Sequence, residues 1–212
     1  MKIQPYIEKL EQSPEYTKFN TQYPDSFVVA GFFVLDFETN KNIHQIDFFI
    51  PSKKKVAAFS LDDNVTLKIL DAMNEKVPEK MEPSTNIDLD TLKGILEDEM
   101  KNRSMSEEIK KMIAVVHTDD GKKIWNVNCI LSGMEILKAH VEDESKTVLK
   151  IEKVSMLDII KKIPKTQLQN MAPQGDAKED INKLNKMESE IEKEKERLKA
   201  QLEKEKAEAK QE

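Results

Sequence analysis

Apolar residues along Ile3–Tyr23 recur at helical spacing, with Tyr6, Ile7 and Leu10 on one face and then Tyr16, Phe19 and Tyr23. Ser13-Pro14-Glu15 restarts the helix, because serine caps and proline suits the first helical position. Pro24 ends it, since the residue before a proline avoids helical geometry. From Phe27 the period changes to two. Phe27–Phe37 is apolar on both sides, as in a strand covered on both faces. Ile43–Ile50 alternates, with Ile46, Phe48 and Ile50 on one face and Gln45 and Asp47 on the other. Pro51-Ser52-Lys53 turns the chain into a third strand, Val56–Leu61, and Val65–Leu70 makes a fourth. The stretch 74–86, with Pro78 and Pro83 among charges, reads as a connector. Asp88–Arg103 is a second long helix with the stripe Leu89, Leu92, Ile95, Leu96 and Met100. Four more strands follow within Ile109–Ile151. Ser155 then opens a short helix with Met156, Leu157, Ile159 and Ile160 inward and Pro164 as its stop.

A helix followed by four strands thus occurs twice. An offset of 81 positions lays Phe27–Leu70 under the second set without a gap. His44 falls under Trp125, Ile46 under Val127, Phe48 under Cys129, Asp62 under Asp143 and Thr66 under Thr147. This predicts an α+β fold built by tandem duplication of a helix and a four-stranded antiparallel meander. Laying the helix on the sheet buries both apolar surfaces. The expected boundaries are 1–74 and 88–164 for the two repeats and 75–87 for the linker between them. A polar linker, 165–175, and a charged tail, 176–212, complete the chain.

The tail is almost entirely Glu, Lys, Ala, Leu and Gln. Leu184, Ile191 and Leu198 repeat every seven residues, but Glu188 and Lys195 occupy the remaining seam positions. That is a weak coiled-coil seam. A solvated helix supported by Glu–Lys pairs four apart is the plainer expectation.

Charge narrows the classes of function. The net charge is −6, which argues against nucleic-acid binding, where Lys and Arg neutralise phosphate. The single cysteine, Cys129, excludes an internal disulfide. The start, MKIQPYIEKLEQ, lacks an apolar signal core, and no apolar run nears the roughly 20 residues of a membrane span. A cytoplasmic, soluble protein is the resulting expectation.

Candidate chemistry is sparse. His140 and Glu142 share a strand face with Asp143 and Glu144 following, but a structural metal site wants four ligands and no second pair supports it. Cys129 and Trp125 fall on an apolar strand face and read as core. Five glycines leave no phosphate-cradling loop. No catalytic residue, metal or cofactor is assigned. The comparison of halves offers a surface instead. Under the offset, Ala57, Phe59 and Leu61 stand where Lys138, His140 and Glu142 stand, with Phe49 on the neighbouring strand. An apolar outer face of this kind marks an interaction site or a covered surface.

The helix-then-meander half, with IWNVNCILSGMEILKAHVEDESKTVLKI, resembles the PepSY pattern of an aromatic at the hairpin start (Trp125) and a strand ending Val141-Glu142-Asp143. The resemblance covers about residues 88–151, more loosely 14–70, and implies a small accessory or regulatory module. The whole chain resembles an uncharacterised family of small archaeal proteins through GFFVLDF, IDFFIPSKKKVA and IWNVNCILSG. Neither implies an activity. The reading is a non-enzymatic protein-interaction or regulatory module. Its expected partner is a protein or a second copy, contacted through Phe49, Ala57, Phe59 and Leu61 and through Leu184, Ile191 and Leu198 of the tail. The alternative is a binder of a small apolar ligand or lipid in a cavity between helix and sheet.

Overall fold

A computed structural model of the chain describes residues 4–72, 76–133 and 135–155. The expected helix after Ser155, the polar linker, the tail and its residues Leu184, Ile191 and Leu198 lie outside the described residues.

Helix α1 (Gln4–Glu11) and helix α2 (Pro14–Gln22) meet at Ser13. The Ser13 hydroxyl accepts from Tyr16 N at 3.1 Å and donates to Leu10 O at 2.7 Å, so one side chain closes one helix and opens the next. Strands β1 (Phe27–Asp36), β2 (Ile43–Ile50), β3 (Lys55–Ser60) and β4 (Thr66–Asp71) follow. Helix α3 (Leu89–Asn102) starts on Asp88, whose carboxylate accepts from Thr91 N at 2.8 Å. Strands β5 (Ile109–Asp119), β6 (Lys122–Leu131), β7 (Glu135–Glu142) and β8 (Val148–Ser155) complete the described chain. Ser155 itself closes β8, and the helix expected after it lies outside the described residues. Ser155 pairs with Glu135, and β8 runs past the Ile151 expected as its end. Lys153 lies between the carboxylates of Glu107 (2.6 Å) and Glu135 (2.9 Å) and fixes that extension.

All eight strands form one antiparallel sheet in the order β4-β3-β2-β1-β5-β6-β7-β8. Two meanders meet at β1 and β5, whose ladder runs from Ala30↔His117 to Asp36↔Lys111. The architecture is α+β and dominated by its sheet. No described helix is long and apolar enough to cross a membrane.

Side chains of Ile7, Leu10, Phe19, Leu89, Leu92, Leu96 and Met100 from the helices share one buried cluster with one face of the sheet. That face, here the front, presents Phe33, Ile46, Phe48, Phe59, Trp125 and Val127. Gly31 belongs to it for a steric reason. A Cβ there would stand 2.9 Å from the Phe33 ring and 3.1 Å from Val116 Cγ1, so the ring occupies the space a side chain would need.

Candidate interaction surface

Helix α1 is tied to the sheet by Lys9, which donates to the carbonyls of Leu61 and Asp62, each at 2.7 Å. Beneath α1 and α2, the ring of Phe59 meets those of Phe19 (5.1 Å), Phe48 (5.5 Å) and Tyr16 (6.0 Å). Ala57, Phe59 and Leu61 are fully buried in this front core. They do not form an outer face, which corrects the sequence expectation. Phe49 is buried too, but on the opposite face, against Phe27 at 5.9 Å. The four residues are not brought together.

The cause is one residue in a hairpin. Six residues lie between Phe49 and its partner Val56, and five between Ile130 and its partner Ile136. The offset of 81 therefore holds for β2 and β6 but becomes 80 on β3 and β7. A one-residue slip exchanges every side chain between faces. By their strand pairing, Ala57, Phe59 and Leu61 take the positions that Leu137, Ala139 and Val141 take in the second meander, all buried. Lys138 and His140 correspond to Ala58 and Ser60 on the back of the sheet.

The back of the sheet is where an open apolar surface lies. At its centre Phe32 pairs with Val115 and Val34 with Ile113 across the β1–β5 seam. All four are only partly buried, and none belongs to the helix-covered cluster. A second apolar row, Ile130–Ile136–Val154, crosses β6, β7 and β8. Asn126, Asn128, Lys138, His140 and Glu152 are among the other residues on that side of the face. Asp47 lies on the same face beside β1, accepting from Gln45 Nε2 at 2.8 Å. Burial pushes its carboxyl above the usual range, and the Gln45 hydrogen bond offsets this in part.

Two ring–carboxylate pairs stand at matching places in the halves. Trp125 Nε1 donates to Asp143 Oδ1 at 2.8 Å, and the amides of Asn86 (2.8 Å) and Ile87 (3.1 Å) donate to the same carboxylate. In the first half, His44 Nδ1 lies 2.7 Å from Asp62 Oδ1, and Tyr6 stacks on the imidazole at 4.1 Å. The offset of 81 aligns His44 with Trp125 and Asp62 with Asp143, but the bonds themselves were not legible in the sequence.

Other polar groups have structural work. Asp143 is buried and turned away from His140, and Glu142 accepts from Lys122 at 2.7 Å, so the carboxylates near His140 are otherwise engaged. Glu79, Asp119 and Asp120 bring carboxylate oxygens within 4.8 Å of one another. The two Glu79 oxygens already accept from the amides of Asp120 (3.2 Å) and Gly121 (3.0 Å), clamping the β5–β6 turn to the connector. Cys129 is buried, and burial pushes its thiol up to about 12, the state of an inert core sulfur.

No protein-family model matches the chain, and no curated protein matches it. Among solved structures, a candidate lipoprotein of Clostridium difficile 630 is similar at 17% identity and a TM-score of 0.44, over 68% of this chain and 97% of that one. A likeness that loose assigns neither a function nor a location.

Proposed function

We propose that the protein is a non-enzymatic interaction module that receives a protein partner on the back of its sheet, at Phe32, Val34, Ile113 and Val115. One observation carries this reading. The described helices all pack on the front, while the centre of the opposite face holds partly exposed aromatic and β-branched side chains. Water-facing sheet surfaces are ordinarily polar, and a contiguous apolar patch marks a contact. The charged tail, with Leu184, Ile191 and Leu198 on one seam, adds a second element for the same partner or for self-association.

The alternative, a ligand cavity between helices and sheet, is less well supported. That layer holds the buried rings of Phe19, Phe48 and Phe59, which meet one another, and those of Phe33 and Trp125, which meet each other. We further infer that the two halves arose by tandem duplication. The matching ring–carboxylate pairs and the two meanders meeting at β1 and β5 support this.

The experiment compares the full chain with Phe32→Glu/Val115→Glu by cross-linking and mass spectrometry in native extract, with light scattering for self-association. The expected result is a defined cross-linked partner, or a dimer, lost in the variant while the melting temperature stays within a few degrees. Identical cross-links and masses for both proteins would remove the reading.

A further inference from the structure

We propose that Asp47 anchors a site on the back of the sheet for one cationic side chain, a lysine or arginine carried by the protein partner.

Register builds the site. On β2, Asp47 stands between Gln45 and Phe49, its neighbours two positions away on the same face. Its cross-strand partners are Ala30 on β1 and Ala58 on β3. Diagonal to it on β1 are Phe27, paired with Phe49, and Phe32, paired with Gln45. Diagonal neighbours lie about 7–8 Å apart, within reach of aromatic rings. The carboxylate is thus set on low ground, with an alanine on either side and three phenylalanines around it. Ala58 is buried and Ala30 only partly so, which leaves the approach over Ala30. His117 pairs with Ala30 from the far side and bounds that approach, two strand spacings or about 10 Å from Asp47.

Three observations point to a cation as the occupant. The charge of Asp47 is unmatched. Gln45 Nε2 donates to its Oδ1 at 2.8 Å, and among the described residues no cation pairs with it. Lys68 shares the row but stands exposed beyond Ala58. An acid held on an apolar face without a counter-charge works against folding, so the fold gives no reason for it. The rings around it are the second observation. Aromatic faces attract cations, so they suit a cation drawn to the carboxylate better than the carboxylate alone. The third comes from the second meander. Asn128 takes there the position of Asp47, and its partners are Ile113 and Lys138. A neutral amide thus has a lysine beside it, whereas the acid has only alanines. Charge and size are exchanged together, and the first meander is left complementary to a cation that comes from outside.

This inference rests on the back-face reading of the partner, but its test needs no partner. n-Butylammonium and n-butylguanidinium stand in for lysine and arginine, and n-butanol is the uncharged control. Each is titrated at constant ionic strength into the ¹⁵N-labelled full chain and into Asp47→Asn, and the amide shifts of Ala30, Asp47 and Ala58 are followed. Asp47→Asn keeps the size of the side chain, and its amide spectrum away from the back face checks the fold. The expected result is saturable shifts with the cations in the native chain. Apparent affinity should be about tenfold weaker for n-butanol, and about tenfold weaker for the cations in Asp47→Asn, as for loss of a hydrogen bond to a charged group. Equal affinity for n-butanol, or for the cations in Asp47→Asn, would show an apolar site and overturn the proposal. Shifts that never saturate would show no site and overturn it too. A saturable cation site without any cross-linked partner would instead remove the partner reading and leave the site standing.

Discussion

Phe59 is fully buried against three rings, and its removal tests which face of β3 is core. Phe59→Ala is expected to cost about 3–5 kcal/mol in a urea titration, the usual cost of deleting a buried aromatic. An interface residue would leave stability unchanged. The two ring–carboxylate pairs make a second comparison. Asp143 is buried and accepts three N–H groups, so Asp143→Ala strands three donors and is expected to cost about 3 kcal/mol. The Asp62 side chain is 33% exposed, so water can replace it, and Asp62→Ala is expected to cost about 1 kcal/mol or less. Titration gives two opposite signs. Glu107 is held down to about 2, first by the Lys153 hydrogen bond. Its folded pKa is depressed, so its contribution is complete above the ordinary value of 4.5 and is lost as pH falls towards 2. The melting difference between the native chain and Lys153→Met should therefore shrink across that acid window and hold steady above it. Asp47 is displaced the other way by burial, so its ionised form opposes folding above its folded pKa. Asp47→Asn should raise the melting temperature at pH 7 and lose that advantage at acid pH.

Secondary structure was legible because each signal was local. Ser13 and Asp88 cap the helices the sequence assigned to them, and Ile46, Phe48 and Ile50 face the core as their alternation required. The faces of β3 were not legible. Val56, Ala57, Ala58 and Phe59 are apolar on both sides, so period two could not say which side meets a helix, and one residue in the preceding hairpin decided it. The same ambiguity hid the candidate surface. Phe32 and Phe33 are adjacent and alike in sequence, yet Phe33 is core and Phe32 is on the back. Helix placement, a long-range matter, separated them. Gly31 beside them gives the seam its own prediction. Gly31→Ala forces the Phe33 ring or Val116 to shift, and both are buried, so a loss of about 1–3 kcal/mol is expected from thermal or urea unfolding.

At the scale of the molecule the question is whether two similar meanders behave as two folding units or one. The seam is a full ladder in the middle of the sheet, with no break between the halves. The core does not stop there either. Phe33 of the first half lies 6.0 Å from Trp125 of the second, and residues of both belong to one buried cluster. The connector reinforces the joint from the side, since Met81 N donates to Val28 O at 2.8 Å and Glu79 holds the β5–β6 turn. Separating the halves would expose two long strand edges in the sheet centre together with the apolar side chains packed across them, which is costly and invites aggregation. Unfolding should therefore be a single cooperative transition. Trp125 fluorescence, which reports the second half beside the seam, and far-UV circular dichroism, which reports both halves, are expected to give coincident urea curves. A fluorescence transition displaced from the dichroism curve by more than about 0.5 M urea would show that the halves open separately, an intermediate that two-state behaviour does not permit. Gly31→Ala sharpens the test. Because the substitution strikes the seam, it should move both curves together if the sheet is one unit, and split them if the seam is only a docking line between two independent ones.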